Sequence, residues 1–216
     1  MKRILIAALL LVLLAGCAGI PFVNSTPGSG RLVSRSFDLN GFSEIDANNA
    51  AQVEVALGDE FRVDVELDDN LVDLLNVSVS GKALLIRLKQ GPYTKVTLRA
   101  KITMPELTGI KLNGASTLRY EAAGQDLDLD LNGASIVTLT GTAGLVTLKA
   151  NGASQALLAG MEAGDVQLDV NGASHVEVQS RGAVGGRVNG ASTAIVSGSP
   201  TSVDVKAEGS SRVVTK

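Results

Sequence analysis

Five near-identical Asn-Gly-Ala-Ser tetrads recur along the second half of the chain and limit its fold more than any other feature. Their asparagines stand 18 to 20 residues apart, and a degenerate copy, Glu208–Ser211, follows 19 residues after the last. A period of this length is typical of solenoids, in which each repeat stacks on its neighbour. The tetrad asparagines are Asn113, Asn132, Asn151, Asn171 and Asn189.

Apolar residues alternate with polar ones on both sides of each tetrad. The first and third residues before the asparagine are mostly apolar, as are the fifth and seventh after it. Strict alternation predicts a half-buried strand on each side of the tetrad. Because Gly-rich segments such as 141–144 join successive repeats, each repeat is predicted to be strand, corner, strand, corner.

Asn-Gly between two strands is also a strong signal for a tight hairpin, so an antiparallel meander is the alternative architecture. A two-residue hairpin would place Arg119, Gln155 and Glu177 on the core side. The apolar positions have the opposite parity, which favours a corner with an extra residue. We therefore predict an all-β fold: a single-stranded parallel β-helix or solenoid with about 19-residue coils and Asn-Gly-Ala-Ser corners.

The tetrad residues suit such a corner. We expect Asn and Gly to take the left-handed backbone conformation, Ala to fit a crowded inner bend, and the Ser hydroxyl to bond a nearby backbone group. Stacked asparagine amides can hydrogen-bond along a ladder. A second interpretation is a polar stripe of Asn and Ser side chains that binds a repetitive ligand. The motif lacks the aspartate of calcium-binding repeats, and we expect no metal and no cofactor.

The beginning of the chain is similar to the signal peptide of a bacterial lipoprotein. Lys2 and Arg3 precede an uncharged apolar run, residues 4–14, which is too short to span a bilayer. The run ends in Leu14–Cys17, which resembles the lipobox, where the cysteine receives a thioether lipid and cleavage precedes it. A plain secretory signal or an uncleaved anchor is the alternative. We predict a signal peptide over residues 1–16 and lipidation of Cys17.

A tether and one domain follow. Residues 17–31 are rich in Pro, Gly and Ser without a hydrophobic period, which indicates a flexible tether after the lipidated cysteine. Residues 32–216 are predicted to form a single solenoid domain. Ala18 is not the aspartate that retains many enteric lipoproteins in the inner membrane, so the resemblance favours the outer membrane if the organism is Gram-negative.

The residues before the first tetrad extend the same pattern. The apolar spacing of the tetrads fits residues 45–55 when Asn48 takes the asparagine position, which predicts a diverged first coil. Residues 61–67, 84–88 and 96–102 alternate as further strands. We expect this N-terminal part to cap the open end of the solenoid.

Three segments, Phe42–Ile45, Val53–Val55 and Val63–Leu71, together with the tetrads resemble the family called putative auto-transporter adhesin, head GIN domain. The resemblance covers roughly residues 37–211. It implies a β-helical domain of envelope lipoproteins and secreted proteins. Adhesion is suggested by likeness, and no catalytic residue is assigned.

Catalytic chemistry is scarce in the sequence. His175 is the only histidine, and Asp126, Asp128 and Asp130 alternate with leucines as a solvated strand face requires. The sequence contains no nucleophile elbow, phosphate loop or metal-spaced His/Cys cluster. Loss of Lys2 and Arg3 with the signal changes the net charge from −3 to −5 (17 basic against 22 acidic residues), which argues against a nucleic-acid partner.

We therefore expect a lipid-anchored cell-envelope protein that is an interaction or adhesion scaffold and not an enzyme. Its partners would be the membrane, through the lipid on Cys17, and a glycan or protein ligand that the sequence does not name. The alternatives are a purely structural envelope lipoprotein and, less favoured, a glycan-processing β-helix enzyme.

Overall fold

The computed structural model describes residues 25–216, which form β-strands, the turns between them and one short 3-10 helix. Strands that lead into a corner pair in one sheet, here called the entry sheet, and strands that leave it pair in a second, the exit sheet. The entry sheet contains β3 (Glu44–Ala47), β6 (Leu75–Ser80), β7 (Ala83–Leu88), β10 (Gly109–Leu112), β12 (Leu127–Leu131), β14 (Val146–Ala150), β16 (Val166–Val170), β18 (Ala183–Val188) and β20 (Ser202–Ala207).

The exit sheet has ten strands. It contains β2 (Leu32–Phe37), β4 (Gln52–Leu57), β5 (Arg62–Asp68), β9 (Leu98–Met104), β11 (Thr117–Ala123), β13 (Ile136–Ala143), β15 (Gln155–Ala163), β17 (His175–Ser180), β19 (Thr193–Gly198) and β21 (Arg212–Thr215). The short strands β1 (Thr26–Pro27) and β8 (Tyr93–Thr94) pair with each other, and the 3-10 helix spans Asp69–Leu74.

Successive coils stack in parallel, so the predicted β-solenoid is confirmed. In the entry sheet β10, β12, β14, β16, β18 and β20 pair in that order, and in the exit sheet β11, β13, β15, β17, β19 and β21 do the same. Equivalent tetrad positions meet across the coils, because Leu112 lies opposite Leu131 and Leu131 opposite Ala150. Tight hairpins at the tetrads, the rival architecture, are absent from the described residues.

The core lies between the two sheets and is filled by the predicted apolar positions. Leu112 and Leu131 in the entry strands, and Val137 and Leu139 in the exit strands, are fully buried. Their neighbours in sequence face solvent, as the strand period of two requires. The alternation of apolar positions that argued against hairpins is therefore the same as the alternation of buried and exposed side chains.

The N-terminal strands do not follow the order of the chain. The coil of β3 and β4 stacks directly on β10 and β11, which confirms the diverged first coil at Asn48. Strands β7 and β9 form a further coil on its other side. Antiparallel strands then finish both sheets, β6 on β7 and β5 with β2 on β9. We call β1, β2, β5, β6, β8 and the 3-10 helix the cap.

Residues 27–31 lie against the cap, although the sequence predicts a free tether through residue 31. The carboxylate of Asp68, fully buried, accepts hydrogen bonds from the backbone N–H groups of Gly30 and Thr97, each at 2.7 Å. Pro, Gly and Ser content indicates only that a segment lacks a core of its own. Here the side chain of Asp68, distant in sequence, helps to hold the backbone of this segment in place.

Two neighbours of Asp68 strengthen this attachment. Asn70 accepts a hydrogen bond from the Ser29 backbone N–H at 3.0 Å and donates one to the Pro27 carbonyl at 2.9 Å. The Ser29 hydroxyl donates to the Asp69 carboxylate at 2.6 Å, and this bond lowers the pKa of Asp69. Residues 27–31 of the predicted tether therefore contact the cap through side-chain hydrogen bonds.

Candidate interaction surface

The five tetrad asparagines lie in one row along the stack and contact one another. The Nδ2 atom of each of the last four donates to the Oδ1 atom of the asparagine one coil before it, whereas Asn113 donates to Asp46. These distances are 3.4 Å from Asn132 to Asn113, 3.1 Å from Asn151 to Asn132, 3.2 Å from Asn171 to Asn151 and 2.9 Å from Asn189 to Asn171. We call this row the asparagine ladder.

The other tetrad residues differ in part from expectation. The glycine takes the left-handed conformation, with φ of 80° at Gly133, but the asparagines of the five tetrads do not. The alanine is exposed, as at Ala134, so its predicted place in an inner bend is wrong. The serine occupies that place instead: Ser135 is fully buried, and its hydroxyl donates to the Asn132 carbonyl at 2.8 Å. A buried hydroxyl is tolerated because this bond satisfies it.

A row of charged side chains runs beside the asparagine ladder on the outer face of the entry sheet. It consists of the second residue before each corner asparagine or its equivalent, and these residues lie opposite one another in successive strands, about 4.8 Å apart. Their signs alternate until the last two. We call it the charged row: Asp46, Lys111, Asp130, Lys149, Asp169, Arg187 and Lys206.

The best-formed contact of the charged row joins Arg187 to Asp169. The guanidinium Nε and Nη2 atoms donate to the two carboxylate oxygens, both at 2.9 Å. Asp169 also accepts a hydrogen bond from the Asn171 amide at 2.9 Å. The bond from Asn171 links the charged row to the asparagine ladder. The hydrogen bonds from Arg187 are the main reason that the pKa of Asp169 lies below its ordinary value.

A shallow depression of about 650 Å³ interrupts this face between the third and sixth tetrad coils. Residues of β14, β16, β18 and β20 line it, among them Gly186, which has no side chain. Lys149 and Lys206 stand at its sides. In the part of the chain that the structure describes, no carboxylate lies within 4.0 Å of either lysine amine. The amide of Gln167 and the carboxylates of Asp169, Asp204 and Glu208 also line the depression. Its two unpaired ammonium groups can contact the acid groups of a hydroxyl-rich ligand.

The residues considered for catalysis in the sequence are not assembled into a site. His175 lies on the exit sheet, where its Nε2 atom is 2.9 Å from the Glu177 carboxylate. Asp128 faces solvent, and Asp126 accepts a hydrogen bond from the backbone of the next coil, Leu145 N–H, at 2.7 Å. Over residues 25–216 no group of three or more His, Cys, Asp or Glu side chains could hold a metal ion.

Sequence reasoning did not identify the charged row or the depression as a surface. The signal was present at the second position before each asparagine, where acidic and basic residues follow one another from coil to coil. It becomes visible only when the coils are superposed. The depression is lined by residues of four strands, which the sequence alone does not bring together.

Comparison with known proteins identifies two family models that match the chain. A family model described as putative auto-transporter adhesin, head GIN domain, matches residues 41–200 of the 216. A second model, the prokaryotic membrane lipoprotein lipid attachment site, matches residues 1–18, which precede the described part of the structure. This is therefore a lipid-anchored protein of the cell envelope. No helix within residues 25–216 is long and apolar enough to cross a membrane, and no curated protein matches the chain.

Solved structures share the fold at low sequence identity. A putative adhesin from Bacteroides fragilis aligns with 89% of this chain and 100% of its own at 18% identity and a TM-score of 0.69. A putative lipid binding protein from Parabacteroides distasonis aligns over the same shares at 16% identity and a TM-score of 0.54. These likenesses agree with the solenoid. The match over residues 41–200 shows that the chain belongs to the family of putative auto-transporter adhesins with a head GIN domain.

Proposed function

We propose that this protein is a non-enzymatic adhesion scaffold of the cell envelope that binds an acidic glycan along the outer face of its entry sheet. The observation that carries the proposal is the charged row with its two unpaired lysines beside the depression. Evenly spaced charges and amides can contact a repetitive polymer at several coils at once. Multiple weak contacts made together raise the affinity well above that of each alone. Family membership among adhesins supports the same role.

Cys17 is the proposed site of lipidation, since it lies within the matched attachment segment. Stable anchoring needs more than one acyl chain, which the thioether lipid of lipoproteins supplies. Residues 18–26 separate Cys17 from the part held by Asn70, a span of at most about 30 Å. The cap would then face the membrane, and the tetrad coils would extend from it. Ala18 favours the outer membrane if the organism is Gram-negative.

The anchor is tested by Cys17→Ser in the producing cells. Without the thiol no thioether lipid can form, so we expect the protein to leave the membrane fraction for the soluble fraction. Fractionation with an antibody to the solenoid measures this. Unchanged membrane retention of the variant would refute the anchor without bearing on the binding face.

The binding face is tested by applying the purified full chain to a glycan array. We expect retention on acidic glycans, lost on Lys149→Glu because the variant places a carboxylate where the ligand acid would lie. The matched control is Lys101→Glu, an exposed lysine on the exit sheet, which should leave binding unchanged. If the native protein bound no glycan, a purely structural lipoprotein would be favoured. Cleavage of a glycan would favour an enzyme.

A further inference from the structure

The last coil of the solenoid is uncovered within residues 25–216. Strands β20 and β21 occupy the last positions of the two sheets, and within residues 25–216 no strand pairs with their outer edges. Their inward side chains are correspondingly uncovered. Val203 is 39% exposed, whereas Val184 at the same position one coil earlier is 1% exposed. Free N–H and C=O groups beside an apolar surface form a template for another strand.

We propose that this end binds a second copy of the same chain, with β20 of one copy pairing antiparallel to β20 of the other about a two-fold axis. A two-fold contact uses the same patch on both copies. The two-fold axis is perpendicular to the sheet. It therefore reverses the strand direction, so the new pair is antiparallel. Both sheets then continue from one solenoid into the other.

The side chains of β20 select one register. Val203 and Val205 must stay on the core side, which excludes every shift by one residue. With Val205 on the axis, Asp204 lies opposite Lys206 of the second copy, and the same pair forms again by symmetry. Shifts by two residues in either direction place Asp204 opposite Asp204 or Lys206 opposite Lys206, which is unfavourable.

The same pair also continues the pattern of the charged row. The charges of the row alternate in sign from Asp46 to Arg187. The alternation stops there, because Arg187 and Lys206 are neighbours of like charge. In the dimer the next residue of the row is Asp204 of the second copy, so Lys206 gains an acidic neighbour. The alternative contact, β20 on β6 of another copy, offers only the outward residues Asn76, Ser78 and Ser80, none of them charged.

The contact is small and closed. The end of a two-sheet solenoid buries roughly 1,000 Å² in total, at the low end of specific interfaces, so we expect dissociation in the micromolar range. A two-fold contact consumes the open ends of both copies and therefore stops at two. The caps then lie at the far ends of the dimer.

Sedimentation velocity of the purified full chain in detergent, over a concentration range through the micromolar region, tests the proposal. We expect a concentration-dependent dimer, weakened about tenfold or more by Asp204→Lys and by Lys206→Asp, because each creates two like-charged pairs. The double variant D204K/K206D should restore it. Asp73→Lys, the same charge change in the cap, should have no effect.

Each other outcome overturns the proposal. A chain that stays monomeric throughout, a dimer that ignores the single charge reversals, or a double variant that remains monomeric would each exclude this contact. Asp204 and Lys206 are exposed, and circular dichroism verifies that the variants remain folded. Self-association is measured without any glycan, so the result is independent of the proposed binding function.

Discussion

The tetrad coils and the cap hold β-strands together by different means. In the coils one set of contacts recurs: the asparagine amide bonds the previous asparagine, and the serine hydroxyl bonds its own corner, as at Asn151 and Ser154. In the cap, the contact of Asp68 with Gly30 and Thr97 joins segments distant in sequence. Repetition therefore distributes stability along the stack, whereas the cap depends on single residues.

The largest loss of stability is expected at the corner glycines of the coils. Replacing them should cost far more than replacing a turn glycine of the cap. Gly172 has φ of 87°, and an added Cβ would lie 2.4 Å from the Gly152 carbonyl oxygen in the coil below. Gly81 in the turn after β6 also has positive φ, 61°, but no atom within 4 Å of that Cβ. Gly172→Ala should therefore cost more than about 3 kcal/mol of unfolding free energy and Gly81→Ala only about 1–2. Chemical denaturation measures both, and equal losses would contradict the role of coil contact.

A second effect is expected in the cap. Asp68→Ala leaves the N–H groups of Gly30 and Thr97 without their partner, which should cost about 2–3 kcal/mol. The loss should be local, because no tetrad coil depends on these bonds. Hydrogen exchange should show faster exchange at Gly30 and Thr97 and unchanged protection in β16. Uniform loss of protection along the whole stack would mean that cap and coils unfold as one unit.

A smaller effect is expected in the asparagine ladder. Asn151 makes two amide bonds, to Asn132 and from Asn171, whereas Asn189 makes only one. Asn151→Ala should cost about 1–2 kcal/mol and Asn189→Ala about half of that. Thermal or chemical unfolding of the two variants measures the ratio. A larger loss at Asn189 would show that the ladder is not what stabilises this corner.

The smallest effect concerns the place where the repeat fails. The buried Oδ1 atom of Asn189 has no hydrogen-bond partner in residues 25–216, because the sixth copy carries Glu208, whose carboxylate offers no amide donor. Glu208→Asn should add that donor and stabilise the protein by about 0.5–1 kcal/mol. Glu208→Ala removes the same charge without adding a donor and should give no gain. If both variants gained the same stability, the gain would come from removal of the charge alone.

Much of the coil structure could be predicted because burial and sequence share one period. Alternation on either side of Asn132 specified which side chains face the core, and the structure buries Leu131 and Val137 accordingly. The exchange of roles between Ala134 and Ser135 could not be predicted. Both residues are small, and only the path of the corner decides which one points inward.

The candidate site was less accessible to sequence reasoning. The five asparagines were identified as a set, because identical residues at one period must stack. The depression depends on residues of four different strands, and the attachment of residues 27–31 involves Asp68, about forty positions away. Neither belongs to a period, so no local pattern marks it.

The solenoid, its corners, the inward positions and the lipoprotein character of the chain could all be predicted from the sequence, because each depends on local spacing or on a short motif. Three features became known only from the folded chain: β7 and β9 stack outside β3 and β4, the cap holds residues 27–31, and the outer edges of β20 and β21 have no partner strand within residues 25–216. These features arise from contacts between residues far apart in the chain, whose partners become known only when the sheets are assembled.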